Sequence, residues 1–227
     1  NIFSVFNNNK FHLKDYSSEP SLNLNPTNQS ENLNSVKIKI SDTNIFIDEK
    51  IYFDSPNGVV DINDTKIKTT SKNNGSITIT GNRVLLRGDS LLLSNGEKHG
   101  GLIQIGGSWQ NSNKDIRQSQ YTFLEDSVLL DTSSKNGEGG IIVIWSDITN
   151  KKGLTKVQGT LISNGNKAGK IETSGANLDV KNIKVNLKSK KDNDGIWLLD
   201  PFNYEINETT KVAIEGALKD GVNVIIT

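Results

Sequence analysis

The chain has 227 residues, and its 26 Lys and Arg balance 26 Asp and Glu, so it carries no net charge at pH 7. This balance gives no basic field to attract nucleic acid or an anionic membrane, and the absence of cysteine excludes disulfides and thiolate metal sites. No apolar run approaches the roughly 18 residues that a membrane-spanning helix needs.

Residues 1–34 are rich in Asn and Ser, and their apolar positions are sparse. We interpret this irregular segment as an edge strand or two followed by a long loop. From Ser35 onward, β-branched and polar residues alternate in short runs: VKIKI (36–40), NIFID (44–48), KIYFD (50–54), VVDI (59–62) and KIKT (66–69). Period-two alternation interrupted by Asn, Asp and Gly predicts strands of about four to six residues.

A glycine followed by an apolar strand recurs along the rest of the chain, at positions 75, 101, 140, 169 and 195. A polar turn precedes each of these glycines, and about three short strands fit into one period. Recurrence of such a unit indicates a solenoid, because a single repeat cannot bury its own apolar face. We therefore predict an all-β fold, a parallel β-helix with three strands per coil, over residues 35–206. The glycines form corners that need either a positive φ or a close approach of the next coil.

One Gly-rich stretch, NGEGGIIVIWSD (136–147), could also suggest a phosphate-binding loop. Such loops place their glycines after a strand and at the start of a helix. Here the glycines precede the strand, and no helical pattern follows it. Corner glycines are therefore the better interpretation.

Near the end of the chain, TTKVAIEGALKDG (209–221) has apolar residues at helical spacing. Thr209 or Thr210 suits the N-cap, Lys219 lies in the last turn, and Gly221 suits the C′ position. We predict that residues 207–227 form a short helix and a strand that lead into a remainder outside this sequence. The lack of any methionine, even at position 1, also suggests a fragment of a longer, processed polypeptide.

Four motifs then occur in a recognisable order: GGLIQIGG (100–107), GEGGIIVIWSD (137–147), GTLISNGNKAGKIETSGANLDV (159–180) and GIWLLDPFNYEI (195–206). Over roughly residues 75–227 the chain resembles the filamentous-haemagglutinin-like and high-molecular-weight adhesins that Gram-negative bacteria export by two-partner secretion. The resemblance implies a right-handed parallel β-helix that is secreted to the cell surface through an outer-membrane transporter. That transporter would recognise an N-terminal domain of which this chain keeps at most the last coils.

The resemblance also implies a function without catalysis or cofactor. We expect a structural and adhesive segment that extends a rod and presents surface loops to a host-cell or matrix receptor, a glycan being one candidate. We expect no nucleic-acid partner and no membrane insertion. Two alternatives remain: a β-helical enzyme or depolymerase acting on polysaccharides, and an exoprotein that captures a ligand such as a haem carrier.

Candidate catalytic and metal-binding groups are few. With only His12 and His99 in the chain, nucleophilic triads and histidine metal sites have little to build on. We interpret Asp192 and Asp194 as a solvated turn and Asp147 and Asp200 as turn caps that accept backbone amides. We predict no catalytic, cofactor or metal residues.

The long interval between the glycines at 101 and 140 contains an insertion, SWQNSNKDIRQSQY (108–121). Insertions into solenoid coils commonly form recognition surfaces, and this one offers an aromatic ring with several amides. Our candidate binding residues are Trp109, Gln110, Asn111, Asn113, Gln118 and Tyr121. Four Asn-x-Ser/Thr triplets, at Asn28, Asn63, Asn74 and Asn207, could accept glycans.

Overall fold

The computed structural model describes the backbone of residues 2–7, 10–15, 36–190, 195–208 and 210–227, and the side chains within those ranges from residue 38 onward. The chain winds through about seven turns of a parallel β-solenoid, in which each complete coil contributes one strand to each of three faces. The predicted parallel β-helix with three strands per coil is confirmed.

Face 1, the longest of the three faces, contains the strands that follow the repeat glycines and forms one 13-stranded sheet together with face 2. Its strands, in spatial order, are β1 (Ile2–Asn7), β2 (Lys10–Asp15), β5 (Lys50–Asn63), β7 (Ser76–Arg87), β9 (Leu102–Ile105), β12 (Ile141–Trp145), β15 (Lys170–Gly175), β18 (Ile196–Pro201) and β19 (Asn223–Ile226). Among the strand pairs of the described residues, only β1 and β2 are antiparallel.

The other two faces are built from shorter strands. Face 2 consists of β3 (Val36–Ser41), the second halves of β5 and β7, β10 (Tyr121–Leu124), β13 (Leu154–Val157) and β16 (Asn177–Asp179). Face 3 consists of β4 (Asn44–Ile47), β6 (Lys66–Thr69), β8 (Leu91–Leu93), β11 (Leu129–Asp131), β14 (Thr160–Ile162) and β17 (Lys184–Asn186). The predicted runs KIYFD and VVDI are parts of one strand, β5, which turns from face 1 into face 2.

The core is a stack of in-register aliphatic ladders. On face 1, five isoleucines and one tryptophan occupy equivalent positions of successive coils, and all are inaccessible to solvent: Ile51, Ile77, Ile103, Ile142, Ile171 and Trp197. Burial of each aliphatic side chain contributes about 1.5–3 kcal/mol. Each coil can achieve this burial only against its neighbours, so the ladder binds the coils into one structure.

The repeat glycines are required by close packing. A β-carbon on Gly101 would lie 2.1 Å from Ser94 Oγ and 2.2 Å from the Gly75 carbonyl oxygen. Ser94 Oγ in turn donates a hydrogen bond of 2.8 Å to that same carbonyl. None of the repeat glycines has a positive φ. Of the two reasons predicted for a glycine corner, the close approach of neighbouring chain segments is therefore the one that applies.

The predicted helix is present as α1 (Lys211–Lys219), which follows β18 and packs Ile214 and Ala217 against the end of the solenoid beside β17. Its C-terminus has Gly221 at φ +80°, in the left-handed conformation expected of a C′ glycine. Thr210 is the N-cap residue, but its hydroxyl donates to the Glu205 carbonyl at 2.8 Å and makes no cap hydrogen bond to the helix. No helix in the described ranges is long and apolar enough to cross a membrane.

Candidate functional site

The chain between β9 and β10, residues 106–120, forms the insertion loop. It leaves β9 through Gly106, which has φ +80°, and Gly107. A β-carbon on Gly106 would lie 2.1 Å from the Trp145 carbonyl oxygen, and one on Gly107 would lie 2.4 Å from the Trp145 indole. Two successive glycines therefore allow the loop to lie directly on the next coil.

The insertion loop has its own internal hydrogen bonds. Ser108 Oγ donates to the Asn113 carbonyl at 3.2 Å and accepts the Asn113 N–H at 3.1 Å, which closes the segment between them. Within that segment residues Trp109–Asn111 form a 3₁₀ turn, although Gln110 and Asn111 have φ of +44° and +50°. The Ser119 N–H donates to the Gly106 carbonyl at 2.8 Å and closes the whole loop.

Three contacts attach the insertion loop to the outer surface of face 1. The backbone N–H of Gln110 donates to Glu172 Oε2 at 2.8 Å. Arg117 Nε donates to Asp54 Oδ1 at 3.3 Å. Gln118 Oε1 accepts the indole N–H of Trp145 at 2.9 Å. The loop thus contacts β5, β12 and β15, and its position is set by groups distant in sequence.

Among the acids that the structure describes, Glu172 is the one whose pKa is most strongly shifted. It points outward from β15, yet it is inaccessible to solvent, and its other oxygen accepts the Ser174 hydroxyl at 3.0 Å. Burial raises the pKa of Glu172 to about 7, because removing the carboxylate from water disfavours its charge; the two hydrogen bonds oppose this effect and the charge of Asp200 adds to it.

The structure places five of the six candidate binding residues in the insertion loop. Gln110 and Asn113 are exposed, Asn111 is half-buried, and Trp109 is half-buried with Lys170 Nζ 6.0 Å from its ring centroid. The Gln118 side chain is instead half-buried against Trp145. The candidate binding surface in the insertion loop therefore consists of Trp109, Gln110, Asn111 and Asn113.

The sixth candidate, Tyr121, lies elsewhere. It is the first residue of β10 on face 2, and its ring centroid lies 4.6 Å from the Arg83 guanidinium carbon. Its backbone continues the ladder between Arg83 and Leu154, so the insertion loop ends where Tyr121 begins β10.

The predictions for the turn residues agree with the structure to different degrees. Asp147 accepts the Thr149 N–H at 2.9 Å, as predicted for a turn cap, whereas Asp200 accepts the hydroxyl of Thr227 at 3.0 Å. His99 is exposed at a corner. Asp192, Asp194 and the His12 side chain lie outside the described residues, as does Asn28.

The other three Asn-x-Ser/Thr acceptors differ in accessibility: Asn74 and Asn207 are exposed, and Asn63 is half-buried. In the part of the chain that the structure describes, no group of three or more His, Asp or Glu side chains could hold a metal ion.

Three residues that contact the insertion loop, Asp54, Glu172 and Lys170, were not predicted from the sequence, and neither was the role of Arg117 within the loop. Glu172 belongs to an ordinary alternating run, KIETS, which gives no indication that its acid is buried. Only the strand register, which places Val143 and Leu198 beside it, and the overlying loop make it a buried group. The glycine pair at the start of the insertion loop, Gly106 and Gly107, was the one feature of the sequence that indicated close packing of the loop on the next coil.

The chain matches no protein-family model, no curated protein and no solved structure. Its class follows from the fold alone: it is a parallel β-solenoid that carries a folded insertion on one outer face.

Proposed function

We propose that the chain is a non-enzymatic segment of a secreted bacterial surface exoprotein, extending a β-helical rod and presenting the insertion loop to a ligand on host or neighbouring cells. The observation that carries this proposal is the insertion loop itself. Its backbone is anchored to face 1 by Glu172, Gln110 and Asn113 stay exposed, and the Gln110 side chain accepts the indole N–H of Trp109 at 3.2 Å. An aromatic ring next to exposed amides suits a glycan surface.

A second element of the proposal is mechanical. In-register stacking of buried apolar residues ties each coil to its neighbours, so the rod resists bending and can be lengthened by adding coils. Export through an outer-membrane two-partner-secretion transporter, with residence at the surface of a Gram-negative cell, belongs to the same proposal. It rests on the order of the four motifs between residues 100 and 206.

The binding element is tested on an array of immobilised host and bacterial glycans. We expect the chain to bind a subset of them, and Trp109→Ala to lose at least tenfold in affinity for that subset. Phe202→Ala is the matched control, because Phe202 is an aromatic residue that is 73% exposed and lies outside the insertion loop. Equal binding by Trp109→Ala and the parent chain would remove the insertion loop from the proposal.

A further inference from the structure

Asparagine is followed directly by glycine at five positions of the chain: Asn57, Asn74, Asn95, Asn136 and Asn164. In such a dipeptide the glycine nitrogen can attack the side-chain carbonyl carbon of the asparagine, because glycine has no side chain to obstruct the approach. The attack needs a glycine N–H without a competing hydrogen bond and an asparagine side chain that can rotate. These two requirements distinguish the dipeptides from one another in the folded chain.

The dipeptide of Asn74 and Gly75 meets both requirements. Among the residues that the structure describes, neither the Asn74 carbonyl nor the Gly75 N–H has a hydrogen-bond partner. The Asn74 side chain is exposed, and it too makes no hydrogen bond within the described ranges. The dipeptide lies at the corner between β6 and β7, outside both strands. Its peptide unit can therefore rotate toward ring closure without breaking a strand pair or a hydrogen bond.

Equivalent corners show that the unbonded amide of Gly75 departs from the repeat. The N–H groups of Gly101, Gly140 and Gly169 each donate to a carbonyl of their own corner, at 2.8, 2.8 and 2.9 Å. The residues before these three glycines are glycine or alanine. Gly75 is the repeat glycine that follows an asparagine, and its amide is not held in this way.

The other four Asn-Gly dipeptides are restrained. In three of them the glycine N–H donates a hydrogen bond: Gly96 to the Ser133 carbonyl at 3.0 Å, Gly137 to Ser134 Oγ at 3.0 Å and Gly165 to the Lys188 carbonyl at 3.1 Å. Each of these hydrogen bonds must break before the nitrogen can attack. Asn57 lies inside strand β5, where the neighbouring strands oppose rearrangement of the backbone.

We propose that Asn74 is a site of spontaneous deamidation in the folded protein. The Gly75 nitrogen forms a bond to Asn74 Cγ, and its proton passes through solvent to the side-chain nitrogen, which leaves as ammonia. The product of this step is a succinimide ring. Water then opens the ring at either of its two carbonyls. One opening gives an aspartate, and the other gives an isoaspartate, in which the main chain runs through the former side chain.

Either product changes this corner of the solenoid. Both carry a carboxylate in place of the amide, so both remove the Asn-x-Ser acceptor at Asn74. Isoaspartate also adds a methylene to the main chain directly before Gly75, whose carbonyl accepts the Leu102 N–H at 2.9 Å and the Ser94 hydroxyl at 2.8 Å. Modification at Asn74 therefore accumulates as the molecule ages and alters the contact between two coils.

Peptide mapping of the intact chain, after incubation at neutral and mildly alkaline pH, tests the proposal. The mass gain from replacing NH2 by OH should appear at Asn74 on the order of tenfold faster than at Asn95, Asn136 and Asn164, because those sites must first open locally. Tandem mass spectrometry separates Asn74 from the neighbouring Asn73, and isoaspartyl methyltransferase labels the isoaspartate. The rate should rise with pH, since the attacking nitrogen must lose its proton.

Two comparisons separate the effect of the fold from that of the dipeptide. In guanidinium chloride all of these sites are unfolded, so the advantage of Asn74 should disappear. In the folded chain, Asn74→Gln should remove most of the early release of ammonia, because glutamine must close a larger ring. Asn136→Gln, at another exposed corner, is the matched control and should remove little of it. Equal rates at the Asn-Gly sites of the folded chain, or the same ranking with and without guanidinium chloride, would overturn the proposal.

Discussion

Ser94 Oγ occupies the space that a side chain on Gly101 would need, since a β-carbon there would lie 2.1 Å away. The second obstacle, the Gly75 carbonyl, is backbone and cannot rotate aside. We therefore expect Gly101→Ala to lower the free energy of unfolding by about 2–3 kcal/mol, as overpacking does in a filled interior.

Urea denaturation of Gly101→Ala and of a matched variant, Gly216→Ala, measures this effect. Gly216 lies in α1, and no atom comes within 4 Å of the place that its β-carbon would take, so alanine there should stabilise the chain by up to about 1 kcal/mol. A change below 0.5 kcal/mol in Gly101→Ala, on the order of measurement error, would contradict close packing as the reason for the glycine.

The Trp197 indole N–H donates to Thr173 Oγ1 at 3.1 Å inside the core, where both side chains are inaccessible to solvent. Thr173→Val keeps the shape and removes the acceptor, which leaves a buried donor unpaired. We expect a loss of about 1–3 kcal/mol in the free energy of unfolding. Thr160→Val, on the outer side of β14, should change it by less than about 0.5 kcal/mol. Thermal and urea unfolding measure both, and equal effects would refute the importance of the buried bond.

Arg87 and Asp61 form a two-point ion pair on face 2, with Nε to Oδ1 at 3.0 Å and Nη2 to Oδ2 at 2.7 Å. The Asp61 side chain is inaccessible, so Arg87→Ala leaves a buried charge with less compensation and should cost about 2–3 kcal/mol. Lys167 and Glu138 are similarly close, at 2.7 Å, but both are about half exposed. Lys167→Ala should therefore cost less than about 0.5 kcal/mol by urea denaturation. A reversed ranking would contradict the burial argument.

The free energy of unfolding should depend on pH through Glu172. Its pKa is about 7 in the folded chain and near 4.5 when unfolded, so its stabilising contribution is complete below pH 4.5 and is lost as pH rises to 7. The loss amounts to at most about 3 kcal/mol. Glu138 acts in the opposite sense and at lower pH: Lys167 lowers its pKa from 4.5, so its stabilising contribution is present above pH 4.5 and is lost as pH falls below that value.

Urea denaturation at several pH values between 4 and 8 checks this sign. The difference in stability between Glu172→Gln and the parent chain should grow in favour of the variant as pH rises. A difference that is constant with pH would mean that Glu172 does not titrate with folding.

Most of the fold was predictable because successive coils repeat the same sequence pattern of strand, polar turn and glycine. The run KIKT became β6, the runs after the repeat glycines became the strands of face 1, and the helical spacing before Gly221 became α1. Each of these features depends on local periodicity, which the sequence displays directly. The merging of KIYFD and VVDI into one long β5 was not visible, because the bend between them is set by pairing with β7.

The candidate site was predictable only in part. An Asn- and Gln-rich insertion with one tryptophan could be located from the interval between two repeat glycines. The contacts of this insertion could not be predicted from the sequence. Gln110 binds Glu172, which is 62 residues away in the sequence, and Arg117 binds Asp54, which is 63 residues away. The strand partners of Tyr121 could not be predicted for the same reason, since they lie in other coils.

The sequence by itself determined the repeating coil, since alternation and glycine spacing are properties of neighbouring residues. Only the tertiary structure decided which outward-facing groups are buried, because that depends on where the insertion loop comes to rest on face 1. Glu172 illustrates the difference. Its strand is evident from the run KIETS, but its burial, which raises its pKa, arises from the insertion loop that folds over it.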